Sequence, residues 1–250
     1  MMQINLTSTV FLGKYRFEPL LRFLVGAFSN ALIGSLSRFR SLYHALLSLS
    51  VLVALCLPVV AIAEPLKLMV LGDSLVAGHG LPQGEAFPDI LEQALRDGGH
   101  DVVLLNAGVS GDTTAGGFAR LEWSLGDNPD ALIIVLGGND LLRGLEPAAT
   151  RENIAGIITM LHDKNIPVML AGMQAPRNLG VQYAAEFDGL YRDIGADERV
   201  IFYPFFLDGV ALQADMNQPD GLHPNLAGVR EITKRILPYT EKLLALAAAK

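Results

Sequence analysis

The chain has 250 residues, 51% of them hydrophobic, with a mean hydropathy of +0.36 and a formal net charge of −7, a length that suits a leader and one domain. Charge is uneven: residues 1–63 hold Lys14, Arg16, Arg22, Arg38 and Arg40 against Glu18, leaving a net of −11 over the rest, which repels nucleic acid and argues against phosphate tracking. Cys56 is the only cysteine and precedes Glu64, so the body from there on has no disulfide, cysteine nucleophile or thiolate metal site.

The first element, Leu46 to Ala63, is a run of 18 residues without a charged side chain. It follows Arg38 and Arg40 and ends in Ala61-Ile62-Ala63, the basic flank, apolar core and small-x-small end of a secretory signal. The expectation is cleavage near Ala63 and a periplasmic or secreted product; the alternative is a membrane anchor over residues 46–63. About forty residues precede the apolar core where a signal normally has only a few, so either the true start lies downstream or the leader is atypical. Residues 1–63 are therefore set apart from a single domain over 64–250.

From Glu64 the pattern alternates short apolar runs with helical spacing. Leu66 to Leu71, Val102 to Leu105, Ala131 to Leu136, Val168 to Leu170 and the weaker Val200 to Tyr203 read as five strands. Continuous rather than alternating apolar residues indicate burial on both faces and a parallel sheet. Pro88 to Arg96 reads as a helix, as does Thr150 to His162 with Thr150 as its cap. Another helix follows the fourth strand, and Asn225 to Ala249 reads as a last long one interrupted at Pro238. Strand-then-helix repetition predicts an α/β protein, a three-layer α/β/α sandwich on a roughly five-stranded parallel sheet of flavodoxin-like form. Sites in such sheets lie at the carboxyl ends of the strands.

The first strand runs into Gly72-Asp73-Ser74-Leu75. A serine on a strand-to-helix turn can offer its hydroxyl as nucleophile and its backbone N–H as oxyanion donor, although such a turn can also simply cap a helix. The second strand leads to Asn106 through Thr114, in which Gly108 lets a backbone N–H approach a substrate oxygen. Ser110 there is a rival nucleophile, but Gly111-Asp112-Thr113-Thr114 resembles a helix cap and makes Ser110 structural. The third strand ends in Gly137-Gly138-Asn139-Asp140, where the Asn139 amide can donate to an oxyanion or the segment can be a plain turn. Near the end of the chain, Asp220-Gly221-Leu222-His223-Pro224 places a carboxylate three residues before a histidine. Folding back, Asp220 can hold Nδ1–H of His223 and leave Nε2 free to take a proton from Ser74. His44, His79, His100 and His162 show no metal-ligand spacing with acids, so no metal is expected.

Together these four segments resemble the blocks of the SGNH (GDSL) hydrolase superfamily across nearly all of residues 66–240. The stretches GDSLVAGHGLP, NAGVSGDTTAGG, LGGNDLLRGL and QPDGLHPN are most similar to its bacterial arylesterase, acyl-CoA thioesterase I and lysophospholipase L1 group. The resemblance implies a cofactor-free serine hydrolase of small esters, acyl thioesters or lysophospholipids, with Ser74 as nucleophile, His223 as base and Asp220 as its orienting acid. It also implies an oxyanion hole from the N–H groups of Ser74 and Gly108 and the Asn139 amide. One departure is His79, where related members often carry tyrosine, a change expected at the pocket rim.

By the same analogy the loop Gly172 to Gly180 edges the acyl pocket, with Met173 and Leu179 toward an apolar chain and Arg177 toward a polar head group. Phe205, Phe206 and Leu207 either line that groove or belong to the core. No nucleic-acid partner is expected, and membrane contact only through an uncleaved leader. Two other readings share the scaffold. A carbohydrate O-deacetylase would use the same triad in a polar groove, which the single tryptophan, Trp123, disfavours. A non-catalytic binding protein leaves the intact Ser74, Asp220, His223 and Asn139 without a reason, as does a flavodoxin-like redox protein for Asp220 and His223.

Overall fold

The structure, a computed structural model, describes residues 64–250 together with Arg40, Tyr43, His44, Leu47 and Ser48. The leader, its cleavage site and the membrane-anchor alternative fall almost wholly outside the described residues. Among the described residues no helix is long and apolar enough to cross a membrane.

Five strands form one parallel sheet: β1 (Leu66–Gly72), β2 (Val102–Gly108), β3 (Ala131–Val135), β4 (Val168–Ala171) and β5 (Val200–Tyr203), in the order β2-β1-β3-β4-β5. Every residue of β3 and β4 is buried, the burial that continuous apolar strands require of a central position. Edge strands β2 and β5 keep half-buried residues.

Among described residues 64–250, seven α-helices flank the sheet: α1 (Ser74–Ala77), α2 (Phe87–Asp97), α3 (Thr114–Ser124), α4 (Gly138–Leu142), α5 (Pro147–Asp163), α6 (Val181–Ile194) and α7 (Leu226–Ala248). Helix α2 packs on α7 and β2, while α3, α5 and α6 pack on one another in turn, which gives the two helical layers. Leu91 and Leu95 of α2, Leu121 of α3, Ile154, Ile157 and Leu161 of α5, and Ile236 and Leu243 of α7 are fully buried against the strands. The three-layer α/β architecture expected from the alternation is thus present.

Three local expectations change. Thr150 is not a cap: α5 starts a turn earlier at Pro147, whose fixed φ suits a first helical position, and Thr150 is buried inside it. Helix α7 continues through Pro238. Pro238 is exposed, so the carbonyl it leaves unpaired is near water, and burial of Ile232, Ile236, Leu243 and Leu244 holds both halves in line. Strand β2 extends to Gly108, which brings Asn106 and Ala107 into the sheet.

Register positions the site. Gly72 pairs with Gly108 on one side and with Val135 on the other, so β1, β2 and β3 end at one level. The chain leaves β1 toward β2 and later returns to the other side of β1 as β3, making a topological switch point at their carboxyl ends.

Candidate active site

Helix α1 is a single turn that opens at Ser74 and closes on Gly78, whose φ of 78° is left-handed and lets its N–H reach the Ser74 carbonyl. Gly72 has no room for a side chain: a Cβ there would lie 2.2 Å from Cγ2 of Val76. Asp73 is 1% exposed, and its Oδ1 accepts the Leu75 N–H at 3.0 Å. The Gly-Asp-Ser turn therefore caps a helix and presents a serine at once. The backbone N–H of Ser74 has no hydrogen-bond partner among the described residues.

His223 reaches Ser74 from the far end of the sequence, with Nε2 3.0 Å from Oγ. Its Nδ1 lies 2.6 Å from Oδ2 of Asp220, and because a carboxylate only accepts, Nδ1 carries the proton and Nε2 is left as the acceptor. The Asp220–His223 turn is tight because Gly221 adopts a φ of 70°, and Oδ1 of Asp220 accepts the N–H groups of Leu222 and His223 at 2.9 and 3.0 Å. Hydrogen bonds from the His223 backbone, its imidazole and the Leu222 backbone hold the Asp220 carboxyl well below the usual carboxylate range. Gln218 secures the turn from behind: its N–H donates to the His223 carbonyl at 2.8 Å, and its Nε2 to the carbonyls of Pro224 and His79 at 3.0 and 2.7 Å. Ser110 is exposed in the turn after β2 and makes no bond to His223.

Asn139 sits in α4 at the end of β3, and its Nδ2 donates to Oδ2 of Asp73 at 3.2 Å. An amide nitrogen has two hydrogens, so one remains for another acceptor. Burial pushes the Asp73 carboxyl up to about 6, against the lowering effect of the hydrogen bonds from Leu75 and Asn139. Gly108 differs from expectation in two ways. Its N–H donates to Oδ1 of Asn106 at 3.0 Å. Its lack of a side chain is demanded by α1, since a Cβ would lie 2.3 Å from the Ala77 nitrogen. The second face of the Asn106 amide donates to the Val76 carbonyl at 3.1 Å, tying β2 to α1.

Several supporting residues carried no local signal. Arg120 of α3 donates to the carbonyls of Gly72 and Ala107 at 3.0 and 2.8 Å and to Asp112 at 2.7 Å, so one guanidinium fixes the ends of β1 and β2. Asp140, beside Asn139, is buried and accepts from the N–H and hydroxyl of Thr114 and from the Thr150 hydroxyl, which locks α3, α4 and α5 together. The helical spacing that starts α3 at Thr114 was legible only at its cap, where Thr113 accepts from Gly116.

Of the loop after β4, Arg177 and Leu179 are exposed in a single 3₁₀ turn, whereas Met173 is buried in the hydrophobic core. Phe206 is also core, its ring edge-to-face with Phe87 at 5.0 Å. Exposed apolar side chains follow three of the strands and stand in the Asp220–His223 turn: Val109 after β2, Leu142 at the end of α4 after β3, Leu179 in the 3₁₀ turn after β4, and Leu222. Among the described residues no group of three or more His, Cys, Asp or Glu side chains is placed to hold a metal ion.

Comparison with known proteins matches residues 70–231 to the GDSL-like Lipase/Acylhydrolase family. Esterase TesA of Pseudomonas aeruginosa is 39% identical over 178 residues, covering 71% of this chain and 89% of that protein. Thioesterase 1/protease 1/lysophospholipase L1 of Escherichia coli K12 is 34% identical over 159 residues, 63% of this chain and 75% of that protein. The crystal structure of AlinE4, an SGNH-hydrolase family esterase, superposes with a TM-score of 0.62 at 44% identity, covering 74% of this chain and 99% of that one. A serine held by a histidine and an aspartate at the strand ends of a five-stranded parallel sheet thus stands on a chain that belongs to the GDSL-like lipase/acylhydrolase family.

Proposed function

We propose that this protein hydrolyses carboxylic esters through an acyl-enzyme formed on Ser74, with His223 as general base and then acid and Asp220 as its orienting partner. The observation that carries this reading is the unbroken hydrogen-bonded path from Ser74 Oγ through His223 to Asp220, at 3.0 and 2.6 Å. Ser74 Oγ attacks the ester carbonyl carbon while its proton passes to His223 Nε2. The carbonyl oxygen gains negative charge, and the free N–H of Ser74 and the second hydrogen of the Asn139 amide are the donors at hand. Gly108 completes the hole when its N–H is shared between Asn106 Oδ1 and the oxyanion. Collapse breaks the bond to the alcohol or thiol, which leaves with the proton from His223. Water then attacks the acyl-enzyme while His223 takes its proton; the bond from the acyl carbon to Ser74 Oγ breaks, His223 returns the proton to Oγ, and the carboxylic acid leaves.

The substrates are small esters, acyl thioesters or lysophospholipids, and the exposed Val109, Leu142, Leu179 and Leu222 offer apolar surface for an acyl chain. The same reading assigns a polar head group to Arg177, and its exposure two residues before Leu179 supports this. The apolar run over residues 46–63 serves export, with cleavage near Ala63; the amino-terminal sequence of the exported protein tests this, and an intact leader in the membrane fraction would favour the anchor.

The test is hydrolysis of p-nitrophenyl esters from acetate to palmitate by the wild type and by Ser74→Ala. Cofactor-free activity that falls by about four to six orders of magnitude in kcat in the variant is expected. Well-folded protein inactive on every ester in the series would overturn the general esterase reading and redirect attention to acetylated carbohydrates.

A further inference from the structure

The His223 imidazole has a second aromatic neighbour outside the Ser–His–Asp path. The His79 ring packs against it with centroids 4.5 Å apart and planes inclined at 43°. The backbone sets this contact. Gly78 turns left-handed after α1, so the His79 N–H follows to the Ser74 carbonyl at 3.2 Å. Gln218 then joins the two histidine segments, binding the His79 carbonyl with the same Nε2 that binds the Pro224 carbonyl. Gly80 extends the close approach, since a Cβ there would lie 2.1 Å from Oε1 of Gln218. These clamps act on the backbone of His79, while its ring meets that of His223. A ring carried on a clamped segment is well placed to cover the imidazole beside it.

We propose that His79 is a positioning residue for the reaction: its ring covers one face of the His223 imidazole and keeps Nε2 on Ser74 and Nδ1 on Asp220. The inference rests on the reading of His223 as the general base. His223 needs such support because the Asp220 side chain is 41% exposed, so water competes for both partners of the Asp220–His223 bond. Packing on one ring face restricts rotation about the His223 side chain at a point that Asp220 does not reach. Displacement of a reacting group by about 1 Å costs up to roughly a hundredfold in rate, so partial loss of the cover is measurable.

The experiment uses the full chain as wild type, His79→Ala, His79→Phe and Ser74→Ala, with p-nitrophenyl butyrate as substrate. Three readouts are kcat and KM, thermal melting, and the low-field NMR resonance of the His223 Nδ1 proton. His79→Ala is expected to lower kcat about tenfold with KM little changed and to broaden the Nδ1 resonance, while melting like the wild type. His79→Phe, which keeps a flat ring on the clamped segment, is expected to restore kcat to within about twofold and to recover the resonance. Wild-type kcat in His79→Ala, a loss confined to KM, or a Phe variant as slow as the Ala variant would each overturn the proposal. If Ser74→Ala is inactive in the same experiment, the serine-hydrolase reading survives that result; full activity in Ser74→Ala would sink both.

Discussion

At the scale of single residues, the site is held by a carboxylate that takes no part in the proton path. Asp73 caps α1 through Leu75 and anchors the Asn139 amide, yet it is buried, and burial pushes its carboxyl up to about 6. A folded-state value above the unfolded one of 3.8 means that the native protein binds the Asp73 proton more tightly across that window. Native stability therefore falls as pH rises from about 4 to 6, by on the order of 2–3 kcal/mol from this group, and the slope vanishes above. Asp73→Asn removes the titration, so its melting temperature relative to wild type is expected to climb through the same window and then level off. Its amide would present hydrogens to the Asn139 nitrogen, so one amide must turn. The measured kcat is expected to drop about 10- to 100-fold with little change in KM. A flat stability difference between pH 4 and 7 would show that Asp73 is charged throughout.

At the scale of elements, α1 and the three strand ends form one mechanical unit. Gly72, Gly108 and Val135 share a level, Arg120 ties the carbonyls of Gly72 and Ala107, and Asn106 ties β2 to the Val76 carbonyl. Gly108→Ala tests how stiff that unit is. The new methyl would meet the Ala77 nitrogen, and backbone cannot rotate away as a flexible side chain can. Relaxation must shift α1 and with it Ser74, so kcat is expected to fall at least tenfold together with a stability loss of about 1–3 kcal/mol in denaturant titration. Wild-type activity and stability would mean that α1 yields freely. Asp140→Ala probes the neighbouring lock: it strands the Thr114 N–H, itself buried, and is expected to destabilise by about 2–5 kcal/mol by the same measurement.

At the scale of the whole molecule, the sheet, both helical layers and every residue of the proposed mechanism lie within residues 64–250. Residues 63–250 also form one compact unit by themselves. A chain starting at Glu64 is therefore expected to unfold in one cooperative transition and to keep the kcat of the longer protein, read by thermal melting and by the ester assay. Loss of cooperativity would mean that residues before Glu64 complete the core.

The sequence by itself determined the fold class and pointed to the groups proposed to react, because both are written locally. Buried parallel strands need unbroken apolar runs such as Ala131 to Val135, and their carboxyl ends must carry the polar, glycine-rich turns where Ser74 and Asn139 stand. Asp220 and His223 were legible because the two residues between them suffice to fold one onto the other. Only the tertiary structure decided what holds these groups, since those contacts join positions far apart in the chain. Asp73 to Asn139 and Arg120 to Gly72 are bonds whose partners carry no mutual signal at such separations. The same reason hid the close approach of the Ala77 nitrogen to Gly108 and of the Tyr191 hydroxyl to Gly137. It also hid the contact of His79 with His223, where a position read as pocket rim packs against the proposed base.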